Sequence, residues 1–154
     1  MVEQIISGGQ TGADRAALDF AIGRGIGHGG WCPQGRAAED GVIDRGYRLS
    51  ETPDSDPSQR TEWNVRDSDG TVIFSVDPIL TGGSKKTAEF AEKFQKPWLH
   101  LCHKRDGDTA AEKLSAFLAE HRIKTLNVAG PRQSEEPEIG EFVTQTLMKI
   151  QFGR

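Results

Sequence analysis

Short apolar runs and helical stripes take turns along the chain. Ile5-Ile6-Ser7 is an apolar run cut off by Gly8-Gly9, which predicts a buried strand entering a tight turn. Thr11-Gly12-Ala13-Asp14 fits a helix start, with Thr11 as N-cap and Asp14 reaching back. Ala17, Leu18, Ala21 and Ile22 recur at helical spacing, and Gly25 is a stop. Residues 26–31 carry a weak signal for a second strand, and residues 32–56 are rich in Gly, Pro, Asp and Arg with no clean period. Asp56-Pro57-Ser58-Gln59 predicts the next helix, with Pro57 at its first position and Arg60, Trp63, Asn64 and Asp67 along it. Thr71-Val72-Ile73-Phe74-Ser75 is the clearest strand, being β-branched and aromatic. A helix from about Ser84 to Gln95 carries Phe90 and Phe94 one turn apart and ends at Lys96-Pro97. Trp98-Leu99-His100-Leu101 is the fourth strand, and Ala111, Leu114, Phe117 and Leu118 mark a helix. Leu126-Asn127-Val128-Ala129 is the fifth strand, closed by Gly130-Pro131. Ile139, Phe142, Val143, Thr146, Leu147 and Ile150 form the cleanest stripe in the chain.

Strands that alternate with helices predict an α/β fold with a parallel sheet covered on both faces. The expected architecture is a Rossmann-like three-layer sandwich in one domain, residues 1–154. Its mainly parallel five-stranded sheet is expected in the order 2-1-3-4-5, which puts the topological switch point between strands 1 and 3. The irregular segment is long enough to be functional, and residues 42–56 read as a lid or an edge loop.

Composition narrows the partners. The chain carries a net charge of −4 and has no Lys/Arg run, so it lacks the basic face that nucleic acid demands. No apolar stretch approaches a bilayer span, and Met1-Val2-Glu3-Gln4 is not a signal-peptide start. Cys32 and Cys102 form no spaced framework, and the expected compartment is the cytoplasm. Small anionic ligands stay open, because backbone N–H groups and a few arginines bind them locally.

The candidate chemistry gathers in the turns that follow strands. Gly8-Gly9-Gln10-Thr11-Gly12 and Thr81-Gly82-Gly83-Ser84 each lead into a helix start, where glycine permits close approach and free N–H groups attract an anion. One such turn would be no more than a tight connection; two at a switch point suggest a phosphate cradle. Gly8-x-Gln10-x-Gly12 lacks the middle glycine of the dinucleotide fingerprint, and no Walker A lysine is present. Gly130-Pro131-Arg132-Gln133-Ser134 adds Arg132 and Ser134 within reach of an anion, or is a plain proline turn with a solvent arginine. Arg36 lies in the irregular segment. Arg60 and Asn64 share a helix face, and Trp63 could stack on a flat ring, although core packing is the commoner fate of tryptophan. His100-x-Cys102-His103 sits on or beside a strand with no second ligand pair, so no metal site is expected. No Ser-His-Asp or Cys-His triad can be assembled.

Ile5 to Asp19, which reads IISGGQTGADRAALD, resembles the opening signature of the molybdenum cofactor carrier proteins in the Rossmann-like SLOG superfamily. Gly30 to Gly41, Arg60 to Thr71 and Leu126 to Ser134 resemble further blocks of that family, so the likeness spans nearly the whole chain. It implies a binding or carrier protein for a phosphate-bearing, nucleotide-like ligand, with molybdopterin or a nucleotide as cofactor. It also implies a homo-oligomer, dimer or tetramer. In that reading Gly8, Gly9, Thr11, Gly82, Gly83 and Ser84 grip the phosphate, Arg132 neutralises its charge, and Arg60, Trp63 and Asn64 position the ring. Gln10, Arg36, Thr87, Gly130 and Ser134 complete the expected cofactor-binding set. The superfamily also holds the LONELY GUY phosphoribohydrolases, whose motif is Pro-Gly-Gly-x-Gly-Thr-x-x-Glu. Here Thr81-Gly82-Gly83-Ser84-Lys85-Lys86-Thr87-Ala88-Glu89 keeps the diglycine and Glu89 but replaces the proline by Thr81 and the third glycine by Lys85. The alternative is therefore an enzyme cleaving an N-glycosidic bond, with Glu89 as acid or base and Asp14 or Glu62 as the second carboxylate.

Overall fold

The computed structural model describes residues 1–152. In chain order the elements are β1 (Gln4–Ile6), α1 (Ala13–Arg24), β2 (Gly27–Gly29), β3 (Trp31–Cys32), β4 (Ala37–Ala38), β5 (Gly41–Val42) and β6 (Ser50–Glu51). Then come α2 (Pro57–Arg66), β7 (Gly70–Ser75), α3 (Gly82–Lys93), β8 (Trp98–Cys102), α4 (His103–Asp106), α5 (Ala110–Glu120), β9 (Thr125–Ala129) and α6 (Ile139–Met148). Asp56 caps α2 by accepting the Ser58 N–H at 2.9 Å, with Pro57 in the first turn, as the sequence pattern predicts. Gly25 ends α1 in the left-handed conformation.

The main sheet is parallel throughout, in the order β2-β1-β9-β7-β8. The expected order was different in one respect. The last strand of the chain lies between β1 and β7, pairing Ile5 with Leu126 on one side and Val128 with Val72 on the other. Alternation and right-handed crossovers fix strand direction and the face each helix covers, but they do not fix which strands are neighbours. Leftward connections place α1 and α5 on one face, where α6 packs against α1; rightward ones place α2 and α3 together on the other. The connections out of β9 and β7 thus leave toward opposite faces, and the switch point lies between these two strands. The main core fills the α1, α5, α6 side, where Phe74 meets Phe142 edge-on at 5.4 Å amid Ile5, Leu114, Leu126 and Leu147.

Two helix starts also differ from expectation. Gly12, at φ 81°, is the N-cap of α1, and the Thr11 hydroxyl points elsewhere. Helix α3 begins at Gly82, so the diglycine forms its first turn.

The glycine- and proline-rich segment is ordered around one buried arginine. Arg36 donates to the carbonyls of Ile43 at 3.0 Å, Leu49 at 3.2 Å, Asp44 at 2.8 Å and Tyr47 at 2.9 Å. Five N–H donors in a planar fork suit this task. The loop so gathered lays Ile43 and Leu49 over Gly9, where an added Cβ would fall 2.9 and 2.6 Å from their side chains.

After β8, Asp106 is buried and accepts the Cys102 N–H at 2.9 Å, Lys113 at 2.6 Å and Arg105 at 2.9 Å. Arg105 first, and then the Cys102 N–H and Lys113, hold its carboxyl well below the usual carboxylate range, against the effect of burial. A depressed folded pKa gives stability that is present above the unfolded value and lost as pH falls below it. Asp106→Asn is expected to cost roughly 2–3 kcal/mol at pH 7. The same change should flatten the loss of stability below about pH 4. Urea unfolding at pH 7 and pH 3 checks this; equal losses at both would show that the charge is immaterial.

Candidate ligand-binding cleft

A cavity of about 760 Å³ opens at the switch point, over the C-terminal ends of β1, β9 and β7. Gly8, Gln10 and Asp14 line it from the turn after β1, and Arg60 and Asn64 from α2. Gly83, Ser84 and Thr87 line it from α3, and Gly130 and Arg132 from the turn after β9. Ser75, Asp77 and the chain to Leu80 close the β7 side. Such clefts of several hundred Å³ at a switch point are where α/β proteins hold small ligands.

The two glycine turns are not equivalent. In the first, the Gln10 N–H goes to Asp14 Oδ2 at 3.3 Å and the Thr11 N–H to Gln10 Oε1 at 3.0 Å. The Ala13 N–H goes to the Pro131 carbonyl at 3.2 Å, which takes up one of the first N–H groups of α1. A Cβ on Gly12 would lie 2.5 Å from that carbonyl oxygen, and one on Gly8 2.5 Å from Arg60 Cδ. Glycine is needed here for close packing of chain on chain. In the second turn, Thr81 makes no side-chain cap, and the N–H groups of Gly82, Gly83 and Ser84 have no acceptor among the described residues. Gly83 is exposed, and an added Cβ there would meet nothing within 4 Å. Helix α3 thus presents three successive N–H groups without an acceptor, whereas the first turn has its Gln10, Thr11 and Ala13 N–H groups taken.

The charges sort the same way. Arg60 donates to the Gly8 carbonyl at 3.0 Å and lies 4.0 Å from Asp14 Oδ2. Asp14 is 8% exposed. Burial pushes its carboxyl above the ordinary value, against the opposing pull of Arg60. A phosphate charge about 4 Å from an ionised Asp14 would cost roughly 4 kcal/mol per charge pair at an effective dielectric near 20. The wall that holds Asp14 therefore disfavours an anion more than the wall at the start of α3 does.

Several predicted residues do other work. Thr11 donates to Glu39, Ser134 donates to it through Oγ at 2.6 Å and N at 3.1 Å, and Arg132 lies 3.5 Å away. The Ser134 and Thr11 hydroxyls hold the Glu39 carboxyl below its ordinary value. Glu39 thereby ties the turn between β4 and β5 to the loop after β9, leaving Thr11 and Ser134 off the cavity wall. Arg36 and Gly9 do not line the cavity, for the reasons given above. Gly82 sits beside it in the same turn as Gly83. Trp63 meets Trp31 edge-on at 4.8 Å with Arg66 stacked 4.4 Å over its ring, away from the cavity. Asn64 pairs both sides of its amide with Trp31, at 2.8 Å to N and 3.0 Å to O, and so ties α2 to β3. Thr87 donates to the Gly83 carbonyl at 2.9 Å. Glu62 pairs with Lys93 at 2.8 Å, and Glu89 is exposed; neither carboxylate lines the cavity. His100, Cys102 and His103 do not come together as ligands: among the described residues no group of three or more His, Cys, Asp or Glu side chains could hold a metal ion. His100 is half-buried and bonds Ser75 Oγ at 2.6 Å.

Sequence reasoning missed Glu136. Its carboxylate accepts the Val76 N–H at 3.1 Å and the Asp77 N–H at 3.4 Å, beyond the end of β7 on the cavity wall. Its loop follows β9, and only the true strand order puts that loop over the cleft.

A sequence model of the circularly permutated YpsA SLOG family matches residues 5–151. A crystal structure of a "putative molybdenum carrier protein" from Syntrophus aciditrophicus SB is 50% identical over 96% of this chain and 94% of its own, with a TM-score of 0.94. (E)-4-hydroxy-3-methyl-but-2-enyl diphosphate reductase gives a TM-score of 0.43 at 11% identity, over 97% of this chain and 60% of its own, and no argument rests on it. No curated protein matches. No helix among the described residues is long and apolar enough to cross a membrane.

Proposed function

The chain belongs to the circularly permutated YpsA SLOG family, and from that premise we propose that it binds and carries a small phosphate-bearing ligand with a flat ring, the molybdenum cofactor foremost. The observation that carries the reading is the cavity at the switch point with the unpaired N–H groups of Gly82, Gly83 and Ser84 at its edge. The permutation accounts for that cavity's place in the sheet. Counted from β9 as first strand, the order β2-β1-β9-β7-β8 becomes 3-2-1-4-5, the doubly wound arrangement whose crevice lies between first and fourth strands.

Molybdenum cofactor would be cargo here. The cavity volume suits a ring with a phosphate, and α3 offers N–H donors for the phosphate. No cysteine or histidine is among the cavity's lining residues, so a metal would be held by the ligand's own donors. The relative is named for carrying molybdenum, which supports a molybdenum-containing cargo. A carrier needs affinity and no activated nucleophile. The placement of Glu89 and Glu62 away from the cavity leaves Asp14 alone of the three carboxylates that a glycosidic hydrolase would recruit. A self-associating assembly, dimer or tetramer, is part of the proposal.

Native mass spectrometry of the purified protein, followed by denaturation and identification of released molecules, tests the reading. The expected result is a bound molecule that carries both phosphate and a pterin or purine ring. An empty protein whose melting temperature moves with no pterin phosphate or nucleotide at millimolar concentration would overturn it.

A further inference from the structure

Asp14 does not fit a phosphate cradle, yet it is built into the cavity wall. It sits in the first turn of α1, buried, beside Gly8, where a Cβ would come 3.0 Å from its Oδ2. Its Oδ2 takes one long hydrogen bond, 3.3 Å from the Gln10 N–H, and Arg60 stays at 4.0 Å with its Nη1 given to the Gly8 carbonyl. The nearby Ser7 hydroxyl donates to the Val128 carbonyl at 2.5 Å, and Asp14 Oδ1 has no hydrogen-bond partner among the described residues. The carboxylate therefore keeps acceptor capacity on a surface that faces the cavity. An acceptor with unused lone pairs on a cavity wall favours a ligand that brings donors. Arg60 lowers the cost of keeping the carboxylate charged when they arrive.

The opposite need exists at α3, where unused donors call for an acceptor. The two groups sit on different walls of one cavity, Asp14 by β1 and Gly83 and Ser84 by β7. A ligand with an acidic group at one end and paired N–H donors at the other satisfies both. A 2-amino-4-oxopyrimidine ring, as in guanine and pterins, presents adjacent N–H and NH₂ groups that match the two oxygens of a carboxylate. Adenine and hypoxanthine do not present that pair.

We propose that Asp14 is the specificity-determining residue of the cleft and reads the N–H/NH₂ edge of a 2-amino-4-oxopyrimidine ring whose phosphate lies at the start of α3. This rests on the carrier reading above and assigns the ligand's orientation within it.

Titration calorimetry of the full chain with GMP, IMP and AMP decides the matter, because the three share a phosphate and ribose and differ at the ring edge. The wild-type protein is expected to bind GMP roughly 10–100-fold more tightly than IMP or AMP, the range one charge-assisted hydrogen bond supplies. Asp14→Asn should erase that preference by weakening GMP alone. Equal binding of the three by the wild type overturns the inference without any variant, and leaves the carrier reading standing. A GMP preference that survives in a folded Asp14→Asn protein overturns it too. If none of the three binds and 6-hydroxymethylpterin diphosphate does not bind either, the carrier reading falls and takes the inference with it.

Discussion

Arg36→Met is expected to lower the free energy of unfolding by about 3–5 kcal/mol, the range for stripping a buried charged group of its partners. The side chain is 6% exposed, and its guanidinium is shared among the carbonyls of Ile43, Asp44, Tyr47 and Leu49. Methionine keeps the length and the apolar stem but leaves those carbonyls to find water in a loop that must then open. Each buried acceptor left unpaired costs about 1–3 kcal/mol, and partial rehydration keeps the total below the sum. Lysine should not rescue the variant, because one ammonium cannot reach carbonyls spread around a planar fork. Urea denaturation measures the loss, and limited proteolysis should show new cuts between residues 37 and 50, a span that Arg36 alone cross-links in this way. Ligand affinity of the folded fraction should stay within about twofold, since the cavity wall does not include Arg36. A stable variant that has lost its ligand would return Arg36 to the binding role that its place in the family block suggests.

The elements were legible because each is written locally. Thr71 to Ser75 is β-branched and aromatic and becomes a fully buried strand; Ile139 to Leu147 carries its stripe at helical spacing and becomes the inner face of α6. Asp56-Pro57 marks its helix start to the residue. Strand order was not legible. The choice of neighbours for β9 rests on contacts such as Ser7 Oγ to the Val128 carbonyl and Asn127 Nδ2 to Thr71 Oγ1, between residues 121 and 56 positions apart. Nothing near Val128 in sequence records them. The permutation adds to the difficulty, since the strand that would open an unpermuted chain comes last here. The turn after β9 was therefore placed at the sheet's edge when it lies at its centre. That one displacement hid Glu136 and made the first glycine turn look as open as the second. Thr11 shows the same limit at the scale of one side chain. Its position before a helix invites capping, but Glu39, 28 residues on, competes for its hydroxyl and wins.

Gly83→Asp should separate binding from stability more sharply than any loss of a side chain. Gly83 has no need of glycine: its φ is ordinary, and an added Cβ would meet nothing within 4 Å. The first turn of α3 holds no acidic residue, so a carboxylate there should stabilise the helix by about 0.3–1 kcal/mol through its dipole and free N–H groups. The same carboxylate would occupy the donors proposed for the ligand's phosphate and repel what it did not displace. Two like charges about 4 Å apart cost roughly 4 kcal/mol at an effective dielectric near 20, of which solvent screening at this exposed position leaves about half, or about a 30-fold weakening. The melting temperature should hold or rise by a degree or two while affinity for a phosphate-bearing ligand drops by that factor, and calorimetry against GMP or a pterin phosphate reads both effects on one sample. Gly82 cannot serve for this test, because its φ of 53° would add backbone strain to any side chain. If the Gly83→Asp protein binds as tightly as the wild type, the phosphate is elsewhere. The guanidinium groups of Arg60 and Arg132, or the N–H groups of Val76 and Asp77 once Glu136 releases them, would then be the candidates.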